Sequence, residues 1–411
     1  MKNILIISFD LIREGESKKP LAIASLLSFL KNDNRYGDDF KAEHISINML
    51  KVQNKGKVEE FHSLLSHLDF SKIDFIALSA YIWNEYLTNN FINYLRKTFG
   101  FRGKVILGGY QISYSKNPQI EYPDCQFFIN GYGEKALLDI ASQKNTENIF
   151  TQSKLDFSTL PSPYLNNEIP ISIDQKMVRL ETKRGCPYRC SFCAHRDLTF
   201  NKVHKHSLDK VFKEIAFFKK MKVKKINIID PIFNAGKEYL DIMEEMARIN
   251  FKPLISLQAR FETIKGQKGQ KFLDLCEKLN IHLEFGLQTS SPSESEIINR
   301  KNDPIEIKRV MSELKNRGIN YEISLIYGLP KQTIDSFKQS IDFAYENGCL
   351  NLTAYPMMLL KGTELFYQKE LFGFREQEIG EFNIPVVVES NTFSEKEWYL
   401  MQDIAQKLDK N

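Results

Sequence analysis

The stretch RGCPYRCSFCAHR, residues 184–196, holds three of the six cysteines of the chain, Cys186, Cys190 and Cys193, at spacings of four and then three. Directly before it, MVRLETK (177–183) alternates apolar with polar residues and reads as a strand, so the three thiols fall in a loop at a strand's carboxyl end. The runs KINIID, LISLQAR, HLEFGLQ, YEISLIYG and LNLTAYPM follow, and helical patterns from Leu208, Lys237, Lys268, Glu294 and Thr333 separate them. Six strand and helix alternations within 177–358 predict a parallel, partial (β/α)6 barrel, in which catalytic groups collect on the loops after the strands.

Upstream, residues 1–150 show the same rhythm. NILIISF, EHISINM, DFIALSAY, KVILGG and QFFIN alternate with amphipathic stretches such as LAIASLLSFLK and EYLTNNFINYLRKTF, which predicts an α/β, doubly wound parallel sheet of the Rossmann-like kind. A polar, proline-bearing segment over 151–176 reads as a linker. The tail, 359–411, reads as a short extension with one strand, IPVVVES, and a closing helix from Glu395; its Arg375, Glu389 and Trp398 are expected to help close the site.

Composition excludes several classes. With 42% hydrophobic and 26% charged residues the 411-residue chain is ordinary for globular domains. Its 56 basic and 52 acidic residues are interspersed, so no stripe for nucleic acid stands out. No apolar run reaches the roughly 20 residues that span a bilayer, and MKNILIISFD is too short for a signal peptide. The expectation is a soluble, cytoplasmic protein without nucleic-acid or membrane partners, in which clustered thiols mean metal or redox chemistry.

Two chemistries fit three close thiols. A structural zinc site wants four closed ligands, commonly two CxxC pairs, and no second pair exists; Cys125, Cys276 and Cys349 sit singly in predicted strands or helices, as small buried residues do. Three thiolates without a fourth suit a four-iron four-sulfur cluster with one iron open to an external ligand. Lumen-facing positions follow from strand alternation. Ser256, Gln258 and Arg260 share one face of LISLQAR, and Glu284, Gly286 and Gln288 one face of HLEFGLQ, so the lumen is expected to be polar. Of the histidines, His44, His62 and His67 read as surface or packing residues, and His195, His204 and His206 as parts of a solvated loop near the cysteines.

CxxxCxxC after a first barrel strand, together with LIYGLPKQTIDSF (325–337), resembles the radical S-adenosylmethionine (SAM) superfamily. The resemblance implies that SAM chelates the open iron and is cleaved reductively to methionine and a 5'-deoxyadenosyl radical. It implies an external electron donor such as flavodoxin or ferredoxin, and SAM contacts from Asp230, Ser256, Gln258, Arg260, Glu284 and Gln288. Asp230 stands where the family often carries a glycine-glycine-glutamate turn, from which IIDPIFN departs.

The amino-terminal half is similar to the cobalamin-binding domain that precedes the barrel in one large subfamily. The matching stretches are LSAY, LGGYQIS and NGYGEKALLDI; on them the resemblance implies cobalamin contacts by Ser79, Ala80, Gly108, Gly109, Tyr110, Gly131, Gly133 and Glu134. SFDLIREG offers Asp10 but no histidine two residues on, so no motif histidine would sit beneath the cobalt. The expected function is that of a cobalamin-dependent radical SAM methyltransferase acting on an unactivated carbon of a small molecule, with a peptide as the alternative substrate. The rivals are a radical SAM enzyme with a non-methylating outcome (cyclisation, rearrangement or transfer of another part of SAM) and a non-enzymatic iron-sulfur sensor or carrier.

Overall fold

The computed structural model describes residues 1–52, 58–142, 148–151, 155–196 and 202–408. Of the linker reading, 152–154 lie outside them. The chain divides into two compact units, one of residues 1–172 with 380–384, the other of 173–379 with 385–411.

The first unit is a six-stranded, all-parallel sheet of β1 (Lys2–Asp10), β2 (Phe40–Asn48), β3 (Phe75–Ser79), β4 (Lys104–Gly108), β5 (Phe127–Asn130) and β6 (Ile149–Thr151), in the order β2-β1-β3-β4-β5-β6. β1 buries both faces, as a central parallel strand must. Ile4 and Ile6 join one core with the helices Leu21–Lys31 and Gly133–Ala141, whereas Leu5, Ile7 and Phe9 join the other with Phe61, Leu87 and Phe91. Phe61 and Phe91 are fully buried edge to face, each worth about 2–3 kcal/mol of apolar transfer. Strand order reverses between β1 and β3, and in open sheets of this kind ligands sit outside the carboxyl ends of the strands at that point. β6, three residues long, gave no periodic signal in the sequence. Just past β3, Trp83 is exposed and stacks on Tyr81 with centroids 4.8 Å apart.

The second unit is an open, parallel six-stranded barrel sheet. Its strands are β7 (Met177–Leu180), β10 (Lys225–Ile228), β11 (Leu254–Ala259), β12 (Ile281–Gln288), β13 (Asn320–Tyr327) and β14 (Asn351–Pro356), in the order β14-β13-β12-β11-β10-β7. Between β7 and β10 lies a two-strand antiparallel ribbon, β8 (Lys183–Arg184) with β9 (His204–Lys205). β12 alternates strictly: Ile281, Leu283, Phe285 and Leu287 are buried, and His282, Glu284, Gly286 and Gln288 point the other way. The tail forms a hairpin, β15 (Arg375–Ile379) with β16 (Ile384–Glu389), and the helix Glu395–Leu408. Trp398 of that helix is fully buried, 5.6 Å from the Tyr327 ring. Among the described residues no helix is long and apolar enough to cross a membrane.

Candidate active site

The loop after β7 is fixed from both sides. Upstream, the buried Asp230 carboxylate accepts from the Thr182 and Lys183 amides at 2.8 and 3.2 Å and from the Thr182 hydroxyl. The Lys183 ammonium, also buried, donates to the carbonyls of Phe233 and Ala235, each at 2.7 Å. Glu181 accepts from Arg184 at 2.7 Å and pairs with His206 at 2.9 Å; burial works against its ionisation, but Arg184 and His206 hold the carboxyl down to about 2. Downstream, the Ser191 amide donates to Ile298 at 2.9 Å, the Ser191 hydroxyl to Ile297 at 3.0 Å, and the Asn299 amide to the Arg189 carbonyl at 2.7 Å. The segment after β12 thus clamps the cysteine loop.

Within this frame Cys186, Cys190 and Cys193 line one cavity of about 410 Å³, together with Gln258, Arg260, Glu284, Gly286, Gln288, Arg300, Glu322 and Ser324. Burial pushes the Cys193 thiol up to about 11 and raises Cys186 as well, so these sulfurs become thiolates only where positive charge compensates them. Two guanidiniums stand there. Arg260 stacks 3.9 Å over the Tyr188 ring and pairs with Glu262, and Arg300 reaches Cys190 Sγ at 3.8 Å. Among the described residues no three histidine, cysteine or carboxylate side chains close around a single ion. Three thiols are one short of the four ligands with which a structural zinc site closes, and their number suits an iron-sulfur cluster with one corner open.

The cavity floor is a row across three strands. Gln258, Glu284 and Glu322 are register partners on β11, β12 and β13. Burial raises the Glu284 carboxyl, and the like charge of Glu322 adds to the rise. Gln288 ends β12 at a register shift with φ 70°, a left-handed conformation uncommon outside glycine and often found at functional sites.

Four of the six residues expected around SAM, namely Gln258, Arg260, Glu284 and Gln288, line this cavity. Asp230 and Ser256 do not. Asp230 is fully buried with its oxygens committed to the backbone before the cysteine loop, and burial lifts its carboxyl to about 6. Ser256 is buried lower in β11, on the strand's packed stretch. Nor do the tail residues reach the cavity: Arg375 pairs on the surface with Glu389 and Glu395, and Trp398 fills a core. His206 is buried on Glu181 rather than solvated. Cys125, Cys276 and Cys349 are buried, as small core residues are. Sequence reading missed Arg300 and Glu322; strand alternation in YEISLIYG could have singled out Glu322, but nothing local marks Arg300.

In the first unit the expected cobalamin contacts gather at the carboxyl ends of β3, β4 and β5. Ser79 ends β3 and Ala80 follows it, fully buried. Gly108 ends β4 and could carry a side chain, the nearest atom being Ile129 Cβ at 3.5 Å. Gly109 has φ 95°, and a Cβ there would meet the Ala80 carbonyl at 2.6 Å, so its glycine serves the close approach of two strand ends rather than room for a ligand. Tyr110 follows, its ring 4.6 Å from Tyr114. The Gly131 amide donates to Ser113 at 2.8 Å, and Gly133 and the buried Glu134 open the helix Gly133–Ala141, where the charge complements the helix dipole. Asn130 Oδ1, at the end of β5, is buried without a hydrogen-bond partner.

Residues 180–344 match the family model described as the Radical SAM superfamily. The chain is 23% identical over 309 residues to the cobalamin-dependent radical SAM methyltransferase TokK of Streptomyces tokunonensis, covering 67% of this chain and 45% of that protein. It is 23% identical over 240 residues to the ribosomal protein uS12 methylthiotransferase RimO of Acetivibrio thermocellus, covering 55% and 53%. The chain thus spans about half the length of these curated relatives. Among solved structures, the radical S-adenosylmethionine methyltransferase TsrM from Kitasatospora setae, with cobalamin and a [4Fe-4S] cluster bound, superposes with a TM-score of 0.73 at 14% identity, over 99% of this chain and 89% of that one, and so has the same fold. The barrel of this chain, over residues 180–344, is where it matches the Radical SAM superfamily.

Proposed function

We propose that the chain is a cobalamin-dependent radical SAM methyltransferase of a small molecule. The observation that carries it is one loop presenting Cys186, Cys190 and Cys193 to a polar cavity. The donor set of three sulfurs fits a four-iron cluster with an open corner. Such a cluster, once reduced by an external donor of the flavodoxin or ferredoxin kind, supplies the electron that cleaves SAM. The residues of this chain position the reactants: Gln258, Arg260, Glu284 and Gln288 offer both signs of charge and amides to SAM's ribose and amino-acid end. At the first unit, Asn130 Oδ1 is an unmet acceptor suited to an amide-fringed macrocycle, and Ser79, Ala80, Gly108, Tyr110, Gly131, Gly133 and Glu134 would surround it. TokK and TsrM, both methyltransferases by name, support the methyl-transfer reading.

The methylthiotransferase likeness is not carried over, because the only cysteine in residues 1–172 is Cys125, which is buried and whose thiol burial pushes up to about 12. Anaerobic reconstitution tests the proposal. The expected outcome is one four-iron cluster and one corrinoid per chain, with SAM consumed. A chain that cleaves SAM yet holds no corrinoid leaves the non-methylating reading in its place.

A further inference from the structure

We propose that Arg300 is a positioning residue for the cluster, holding Cys190 and raising the potential at which the cluster takes up its electron. This rests on the reading that the three cysteines carry a four-iron cluster. Arg300 is 9% exposed and lines the cavity. Its Nη1 reaches Cys190 Sγ at 3.8 Å, its Nη2 donates to the Gly286 carbonyl, and its Nε is buried without a partner. Arg260 next to it pairs with Glu262 at 3.1 Å; that carboxylate acts on Arg300 only from a distance, and among the described residues Arg300 makes no ion pair of its own.

A guanidinium cannot shed its proton, and a buried unpaired charge is strongly destabilising. The missing counter-charge is therefore expected in the cavity itself, and a thiolate-bound cluster supplies it beside Cys190. The guanidinium is also tied to the loop it faces, because Ile297, Ile298 and Asn299 bond to Ser191 and Arg189. Reduction adds one electron, from an external one-electron donor, and no proton moves. The reduced cluster carries one more negative charge than the oxidised one, so a fixed cation in a low-dielectric pocket stabilises the reduced form more. A hydrogen bond to a ligand sulfur acts in the same direction, as cluster potentials follow net charge and such bonds.

The test is a dithionite titration of the reconstituted full chain, without SAM, followed by electron paramagnetic resonance. In Arg300→Met the equilibrium should shift at least tenfold toward the oxidised cluster, 59 mV in midpoint for one electron. Arg300→Lys, which keeps the charge but loses the fork, should shift it less. Full iron and sulfide with an unchanged midpoint in Arg300→Met overturns the proposal. Should that variant fail to assemble a cluster, Glu262→Gln decides: freeing Arg260 of its counter-charge should raise the midpoint, and no change sinks the electrostatic account. A wild-type chain unable to hold any cluster refutes instead the reading under "Proposed function".

Discussion

The guanidinium of Arg260 lies 3.9 Å over the ring of Tyr188, and Tyr188 stands between Cys186 and Cys190. The end of β11 is thereby pinned to the cysteine loop. A desolvated cation–π contact is worth about 2 kcal/mol. Tyr188→Leu should speed iron release to a chelator by about tenfold or more, since roughly 1.4 kcal/mol is a factor of ten, while Tyr188→Phe, which keeps the ring, should release iron at the wild-type rate.

Cys186, Cys190 and Cys193 should each be needed for the cluster, and Cys276 should not. Alanine at any of the three is expected to lower bound iron steeply. Cys276→Ala should keep full iron and lose about 1 kcal/mol of stability, as small buried truncations do. Iron and sulfide analysis with thermal denaturation separates the two behaviours.

Gly108 and Gly109 should part company. Gly109→Ala forces a Cβ against the Ala80 carbonyl at a positive φ and should unfold the first unit at lower denaturant, by on the order of 2 kcal/mol. Gly108→Leu, whose Cβ would meet nothing nearer than Ile129 Cβ at 3.5 Å, should cost less stability than Gly109→Ala, yet abolish corrinoid retention through desalting. Retention by Gly108→Leu would move the corrinoid site away from β4.

In the first unit, His44 Nε2 lies 2.7 Å from the Ser8 hydroxyl, which also bonds Asp10. Burial, aided by Lys19, lowers the His44 pKa to about 4 from its ordinary 6.5. The unfolded chain then binds a proton between pH 6.5 and 4 that the folded one refuses, so stability is full above pH 6.5 and falls as pH drops toward 4. The loss is on the order of 2 kcal/mol after allowing for partial exposure. His44→Gln should flatten that slope, as read by denaturation at several pH values.

Gln288 should matter more to SAM than its neighbours on the outer face of β12. Gln288→Leu is expected to weaken SAM binding about tenfold, the loss of roughly one hydrogen bond in a buried site, with iron unchanged. Equilibrium dialysis checks it. Gly286→Ala should act the same way indirectly, because a Cβ there would collide with the Gln288 amide.

What the sequence disclosed is what periodicity and local spacing encode. The alternation of HLEFGLQ placed Glu284 and Gln288 in the lumen, and CxxxCxxC picked out the three thiols that line the same cavity. Arg300 was illegible because it lies 110 residues from Cys190 and meets it only after the segment following β12 folds back on the loop. Asp230 misled for a related reason: its place after a barrel strand suggested a ligand contact, but the side chain turns to the Thr182 backbone, a partner 48 residues away. Strand order, too, depends on crossovers that no local pattern records.

Trp83 and Trp398 are the only two tryptophans, one in each unit, the first exposed on Tyr81 and the second sealed against Tyr327. Their indoles sense opposite surroundings, so the intrinsic fluorescence of the chain is a sum of a red, solvent-relaxed emission and a blue, shielded one. Replacing either indole with phenylalanine leaves a single-colour reporter, by which the melting of the amino-terminal sheet and of the barrel can be followed separately in the same cuvette.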